Sequence, residues 1–309
     1  MKRILEPSEI QELDHSAIPR VRLPQRADIF TTRAQRLRAL ATEDHLIRDY
    51  LLLMAELVDA QHIALGRLNR PLITPLTSAT DDAVDAARWS ARDPEWRQVL
   101  EFLLTQLEAP GERTGPFAAA CKRLRSLTPD ELEREADALF GAGTAEIDST
   151  SAPLIAAALQ VVWTDAASRL KPEQVPYPDT PGICPVCGTH ALASVIRVGG
   201  ASDGYRYLAC GQCGTETHVV RVKCTHCDST GGVAYQLIEG HPEWAKAESC
   251  DDCHTYRKIF YQNKEFAVDP FADDLATLAL DLLMNEAGYV RPTPHPFLWP
   301  AAGAELHVH

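Results

Sequence analysis

The fold of this chain is decided by four short stretches: CPVC at 184–187, CGQC at 210–213, CTHC at 224–227 and CDDC at 250–253. The first two stretches are separated by 22 residues, and so are the last two. Each cysteine of the second set lies 40 residues after its counterpart in the first. The pattern indicates a duplicated module. Two Cys-x-x-Cys pairs in each module are typical of tetrahedral metal sites built from four thiolates.

The equal gaps predict how the eight cysteines divide between two metal sites. One site is predicted from Cys184, Cys187, Cys210 and Cys213, and the other from Cys224, Cys227, Cys250 and Cys253. An interleaved pairing of 210–213 with 224–227 would span only 10 residues. Gly188 and Gly214 directly follow two of the pairs, and glycine permits the positive φ that such a turn often needs. Both sites are expected to be closed, without an open coordination position for hydrolysis.

The segments between the cysteine pairs have the composition of β-strands. In the first module, residues 191–198 and 205–209 flank a glycine-rich turn, and the β-branched run 217–222 follows. In the second module, 233–238 and 256–262 flank a Gly-His-Pro break at 240–242. Each module is therefore predicted to be a three-stranded unit resembling a zinc ribbon or rubredoxin.

Disulfides and redox dithiols are the alternatives to metal binding. The start of the chain, Met1 to Pro7, lacks the hydrophobic stretch of a signal peptide, so disulfides are disfavoured. Thioredoxin-type dithiols need a βαβ setting, which this region does not show. A module of about 40 residues also buries too little apolar surface to fold unaided, which favours a metal. The ninth cysteine, Cys121, is expected to pack inside a helix as a small apolar residue.

Composition limits the possible partners. The chain has 309 residues, 45% of them hydrophobic, and a formal net charge of −13. Acidic charge argues against binding to nucleic acid, which requires a basic surface. No run reaches the roughly 18–20 apolar residues of a membrane span. Intact thiols without an export signal lead us to expect a cytoplasmic protein.

The chain is predicted to combine α and β structure in several domains: an N-terminal all-α helical domain, two tandem four-cysteine modules and a C-terminal helix. Leu46, Tyr50, Leu53, Met54 and Leu57 have the spacing of one long helix. Three further helix starts are marked by a capping residue with a nearby proline: Asp93-Pro94, Thr128-Pro129, and Ser151 with Pro153. The predicted segments are an extended arm at 1–27, the helical domain at 28–171, a proline-rich linker at 172–183, modules at 184–222 and 223–262, and a C-terminal helix with a proline-rich extended tail at 263–309.

The C-terminal helix is predicted to begin after Asp269-Pro270 and to end at Gly288. Its predicted apolar side carries Phe271, Leu275, Leu278, Leu282 and Leu283. The isolated histidines are not predicted to form a functional site. We expect His45 and His62 in the core or facing solvent, and His307 and His309 in the tail. The acidic pairs 81–82, 251–252 and 273–274 are predicted to be helix N-termini or solvated faces. No nucleotide-binding, nucleophile-elbow or zinc-protease motif occurs, so the protein is not expected to be an enzyme.

Several stretches resemble the bacterial formate dehydrogenase accessory protein family, FdhE. They are RYLAC at 206–210, TE at 215–216, HVVRVKC at 218–224, KAESC at 246–250, TY at 255–256, Lys258, DDLATL at 273–278 and PFL at 296–298. The resemblance is specific from about 184 to 300. In the helical domain it is limited to scattered positions such as RLP at 22–24 and Gln61. Thr217 stands where the family pattern leads us to expect tryptophan, and His295 where it leads us to expect asparagine.

The resemblance implies a cytoplasmic assembly factor that engages the catalytic subunit of respiratory formate dehydrogenase and is not part of the finished enzyme. It also implies iron of the rubredoxin type in the two four-cysteine sites. Spacing itself does not separate iron from zinc, so iron is favoured by resemblance and zinc is the alternative. The competing functions are a rubredoxin-like electron-transfer protein and a nucleic-acid-binding ribbon, of which the acidic charge disfavours the second.

Overall fold

A computed structural model describes residues 18–72, 92–108, 114–140, 148–178, 180, 182–240 and 242–299. Within them lie eight α-helices: α1 (Ile29–Leu40), α2 (Arg48–Arg67), α3 (Trp96–Glu108), α4 (Pro116–Ser126), α5 (Pro129–Ala138), α6 (Ala152–Ser168), α7 (Pro270–Ala276) and α8 (Leu278–Glu286). The strands are β1 (Val21–Arg22), β2 (Ala193–Ile196), β3 (Arg206–Ala209), β4 (Glu216–Val219), β5 (Val233–Gln236), β6 (Ala245–Cys250) and β7 (Thr255–Tyr261). The order of these elements confirms the predicted fold class. Helices come first, then two four-cysteine strand modules, and then further C-terminal helices.

Helix α6 lies at the centre of the helical part. Its residues from 152 to 167 are all buried, as expected for a helix that is apolar around its whole circumference. Its one long polar residue in mid-helix, Gln160, forms a buried amide pair with Gln61 of α2, at 2.9 Å. Gln160 Nε2 also donates to the carbonyl oxygen of Gly211, between two of the cysteines, at 2.6 Å. The helical core therefore reaches directly to the first four-cysteine module.

The predicted helix starts are largely observed. Thr128 and Glu131 form a capping box, with Pro129 in the first turn of α5. Asp93 instead stabilises a turn, because its carboxylate accepts from Glu95 N at 2.9 Å and α3 begins only at Trp96. The prediction for Leu46 was wrong: it precedes α2 and is 97% exposed. Some predictions fall outside the described residues. They concern residues 1–17 and 300–309, which include His307 and His309, and the acidic pair Asp81-Asp82.

All seven strands form one sheet in the order β1-β4-β3-β2-β7-β6-β5. Strands β2–β4 belong to the first module, here called the first ribbon (184–222), and β5–β7 to the second ribbon (223–262). A parallel pair of β2 and β7 joins the ribbons, with Val195 opposite Phe260. At one edge of the sheet, β1 from the extended arm pairs with β4 of the first ribbon. Neither the joining of the ribbons nor strand β1 was predicted from the sequence.

A buried ion pair connects the two ribbons. Arg206 of β3 is 1% exposed, and its Nη2 lies 2.7 Å from Glu248 Oε1 of β6. The same guanidinium donates to the carbonyl oxygens of Arg221 and Lys223, both at 3.2 Å, where the first ribbon ends and the second begins. One side chain thus fixes both ribbons and their connection.

The C-terminal region differs from its prediction. It forms two helices, α7 and α8, because the chain breaks at Thr277. Leu280 and Met284 are the buried residues of α8, whereas Leu282 and Leu283 are exposed, so they were wrongly placed on the apolar side. Gly288 ends α8 with a φ of 85°, as predicted.

The prediction for the acidic pair Asp273-Asp274 was only partly correct. Both lie near the start of α7 but are fully buried. Asp273 pairs with Arg36 of α1 at 2.7 Å, and Asp274 pairs with Arg291 of the tail at 2.5 Å. They tie α7 to neighbouring elements and do not face solvent. Lys258 of β7 adds a bond from its Nζ to the Asp274 carbonyl oxygen at 2.8 Å.

The tail from 291 to 299 contains no helix or strand and packs against the protein. His295 is buried between two backbone groups: Nε2 lies 3.0 Å from the Phe271 carbonyl oxygen, and Phe297 N donates to Nδ1 at 3.0 Å. Burial and the charge of Arg291 hold the pKa of His295 well below its usual value. The neutral ring offers one donor and one acceptor, as the expected asparagine amide would. None of the described helices has the length and apolarity of a membrane span.

We expect Arg206→Met to destabilise the protein by about 3–5 kcal/mol, because Glu248 would remain buried without its cation. The control is Lys264→Met, which removes an exposed pair with Glu243 at 2.9 Å and should cost under about 1 kcal/mol. Urea unfolding of the full chain measures both changes. Equal losses in the two variants would contradict the proposed importance of the buried pair.

Candidate metal centres

Each cysteine pair is held by a tight backbone turn. In the first ribbon, Cys184 N donates to the Thr189 carbonyl oxygen and Gly188 N donates to the Cys184 carbonyl oxygen, both at 2.8 Å. Gly188 and Gly214 have φ values of 77° and 74°, as their sequence positions predicted. The second ribbon has Asp228 and His254 at the equivalent positions, with φ values of 67° and 52°. Aspartate and histidine are among the non-glycine residues found more often in this conformation.

The eight thiols assemble in the predicted grouping. The first thiol cluster is Cys184, Cys187, Cys210 and Cys213, and the second thiol cluster is Cys224, Cys227, Cys250 and Cys253. Within each cluster all four Sγ atoms lie within 4.8 Å of one another. The interleaved pairing is not observed. Their role as metal ligands remains a prediction. The distances between the sulfurs can be compared with those around a tetrahedral ion.

The sulfur separations suit a tetrahedral ion. Sγ–Sγ distances are 3.5 Å for Cys184–Cys213 and 3.4 Å for Cys187–Cys210 in the first cluster. In the second cluster, the Cys224–Cys253 and Cys227–Cys250 distances are both 3.7 Å. Four sulfurs about 2.3 Å from one ion would lie about 3.8 Å apart. These separations are much longer than a disulfide bond of about 2.05 Å.

Hydroxyl and amide groups surround the sulfurs. Thr189 and Thr215 lie 3.1 Å from Cys187 and Cys213 in the first cluster. Thr255 lies 3.0 Å from Cys253 in the second. Backbone N–H groups of Gln212 and Cys213 each approach Cys210 Sγ at 3.4 Å. Hydrogen bonds to sulfur stabilise thiolates and influence the potential of a bound iron ion.

Burial and mutual interaction shift the thiol pKa values in opposite directions. Burial raises the pKa of Cys184 and of Cys187 well above its usual value. At Cys210 burial acts in the same direction, but hydrogen bonds from Cys184, Cys187 and Cys213 outweigh it and lower the pKa. The four thiols therefore interact strongly with one another. If all four were ionised, a cation would be needed to balance their charge at this buried point.

The two clusters differ in accessibility. All four cysteines of the first cluster are buried and belong to the hydrophobic core that also contains the helices. In the second cluster Cys227 is exposed and Cys253 is partly exposed. The first cluster is therefore enclosed by the fold, whereas the second lies at its surface.

Arg257 of β7 is a residue near the second cluster that the sequence analysis missed. It is 6% exposed, and its Nε donates to Thr225 Oγ1, between Cys224 and Cys227, at 3.0 Å. Burial, followed by the neighbouring charges of Arg206 and Arg291, lowers its pKa to about 10. The charged pair Arg257-Lys258, a few residues after Cys253, could have indicated a charge beside the cysteines, but not that this charge would be buried.

The other polar candidates have structural contacts. His45 Nε2 lies 3.0 Å from the Ala276 carbonyl oxygen, which links the start of α2 to α7. Cys121 is fully buried in α4, as expected. Asp251 and Asp252 are at the surface, where they accept hydrogen bonds from Tyr289 and Ser229. None of these residues joins either thiol cluster.

Known proteins resemble the chain over nearly its full length. Three family descriptions match: "FdhE, N-terminal" over 18–179, "FdhE, central domain" over 183–221 and "FdhE, C-terminal domain" over 222–298. The Protein FdhE homolog of Cronobacter sakazakii is 37% identical over 311 residues, covering 97% of this chain and 99% of that protein. Protein FdhE of Salmonella dublin is 38% identical, covering 93% of each chain. The crystal structure of the FdhE protein from Pseudomonas aeruginosa superposes with a TM-score of 0.77 and 31% identity, covering 92% of this chain and all of that one.

We expect iodoacetamide to modify the second cluster of the metal-loaded protein before the first, starting at Cys227. Alkylation requires access to sulfur, and the first cluster is enclosed. Mass spectrometry of peptides after timed quenching gives the order of modification. Urea-unfolded protein serves as the control, in which all cysteines should react together. Faster modification of Cys184 or Cys210 in the folded protein would contradict the difference in accessibility.

Proposed function

The chain belongs to the FdhE family, and we propose that it acts in the cytoplasm as an assembly factor for respiratory formate dehydrogenase. On this proposal it binds the catalytic subunit during maturation and has no enzymatic activity of its own. The observation that carries the proposal is the match of all three family regions, including both ribbons, in one continuous chain.

We propose that each thiol cluster holds one metal ion. The fit of the sulfur separations to a tetrahedral ion supports this assignment, as does the need to balance four thiolates. Iron remains the favoured ion and zinc the alternative, because four thiolates accept both. In either case the ion would connect two turns that are distant in sequence and so stabilise each ribbon.

The proposed binding surface consists of the ribbons together with the arm at 18–26 and the tail at 291–299. The arm crosses the ribbon edge through β1, and Arg20 also donates to the Pro172 carbonyl oxygen at 3.0 Å. Exposed apolar side chains lie just after β4 and just after β5: Val220, Val222 and Leu237. Exposed apolar side chains of this kind suit contact with another protein.

Electron transfer is the second candidate function, and the exposure of Cys227 favours it. An iron site with one exposed sulfur would be closer to a redox partner than an enclosed site. Turnover with an electron donor and acceptor in a reconstituted system would support this alternative. An assembly factor would instead alter the amount of active formate dehydrogenase without being needed in the assay.

We expect cells carrying Cys224→Ser/Cys227→Ser to lose most formate-dependent dye reduction, because the second ribbon would lose its metal and its binding surface. Co-purification of the formate dehydrogenase catalytic subunit should be lost in parallel. Lys264→Met is the control variant, since it changes an exposed pair away from both clusters. Full dye reduction with the cysteine variant at normal abundance would contradict the proposed role of the second site.

A further inference from the structure

Arg257 is a buried cation without a carboxylate partner among the described residues. Its exposed fraction is 6%, and its identified hydrogen bond is from Nε to the neutral hydroxyl of Thr225, at 3.0 Å. Burying a charge is costly unless an opposite charge compensates for it. The environment of Arg257 should therefore contain negative charge from another source.

The carboxylates of Glu248, Asp274 and Asp281 already pair with other cations. Glu248 forms its 2.7 Å ion pair with Arg206. Asp274 and Asp281 pair with Arg291 at 2.5 Å and 3.0 Å, and Asp281 also pairs with Lys258 at 2.5 Å. Glu248 also lies directly opposite Arg257 in the pairing of β6 with β7, so this one carboxylate serves two buried arginines, while Arg206 and Arg291 add positive charge around Arg257.

The second thiol cluster can supply the missing negative charge. The Thr225 hydroxyl that accepts from Arg257 lies in the turn between Cys224 and Cys227. Arg257, Glu248, Cys224 and Cys250 line one small cavity of about 10 Å³, too small for more than one water molecule. Four thiolates around a divalent ion have a net charge of −2, and around a ferric ion −1. The positive charge of Arg257, which lines the same cavity as Cys224 and Cys250, would offset part of either negative charge.

The duplication shows that this arrangement belongs to the second ribbon alone. At the positions 40 residues earlier, Pro185 replaces Thr225 and Thr217 replaces Arg257, so the first ribbon lacks both the hydroxyl and the cation. Arg33 of α1, whose charge interacts with Cys210 of the first cluster, is 3.4 Å from Asp269 and stacks on Phe271 at 4.2 Å. That arginine already has a carboxylate partner.

We infer that the buried positive charge of Arg257 favours a metal ion in the second thiol cluster, with Thr225 holding the guanidinium beside the turn of Cys224 and Cys227. The inference rests on the proposal that the clusters bind metal. It assigns to Arg257 an effect on metal affinity, separate from any effect on folding. For bound iron, the same charge would favour the more negative ferrous site.

The test uses the full-length protein loaded with two zinc ions, with zinc as the probe. A chromophoric chelator is titrated against the wild type, Arg257→Gln, Arg257→Lys, Thr225→Val and Arg33→Gln. Alkylation and mass spectrometry after partial release identify which cluster has lost its zinc. Circular dichroism of each loaded variant reports whether the fold is retained.

We expect Arg257→Gln to weaken zinc binding in the second cluster by about tenfold or more, because it removes a buried charge close to the thiolates. Arg257→Lys should retain most of the affinity, Thr225→Val should weaken it less than Arg257→Gln, and Arg33→Gln should leave the second cluster unchanged. Unchanged affinity in Arg257→Gln, or equal weakening by lysine and glutamine, would overturn the inference.

Two further outcomes separate this inference from the proposed function. If the wild type does not hold two zinc ions, the metal proposal itself fails, and the inference fails with it. If Arg257→Gln does not fold, Arg257→Lys and Thr225→Val decide the inference. A lysine variant that binds zinc no better than the valine variant would overturn it.

Discussion

Four sulfur atoms must meet at one point in each ribbon, and the rest of the structure depends on that requirement. The sulfurs come from two turns separated by 22 residues, so each hairpin must fold back to bring them together. In the first cluster this point also belongs to the hydrophobic core, where Gln160 of α6 binds the Gly211 carbonyl oxygen. The first ribbon and the helical part are therefore parts of one packed unit, and loss of the first cluster should disturb both.

The second ribbon is connected mainly through its strands and buried charges. The parallel pairing of β2 with β7 continues the sheet, and Arg206 reaches Glu248 across it. Buried ion pairs are a weak source of net stability but are costly to break, so they favour one arrangement of the two ribbons. The second cluster consequently lies in a fixed position while Cys227 remains exposed.

Much of this organisation could be predicted from the sequence because it depends on local signals. Cysteine spacing predicted the grouping of the thiols, and Gly188 and Gly214 indicated their turns. Thr128-Pro129 likewise predicted the start of α5. The long-range features had no local signal: the joining of the ribbons, the burial of Asp273 and Asp274, and the position of Arg257 all depend on how distant segments pack. Leu282 and Leu283 have helical spacing, but the break at Thr277 rotates α8 so that Leu280 and Met284 face inward.

The central claim is that two metal ions, each held by four thiolates, organise the C-terminal half of the chain. X-ray absorption spectroscopy of protein purified without added metal, combined with metal analysis, tests it most directly. The account predicts two ions per chain and a first coordination shell of four sulfurs at about 2.3 Å. A shell containing oxygen or nitrogen, fewer than two ions in fully folded protein, or disulfide-linked cysteines would contradict it.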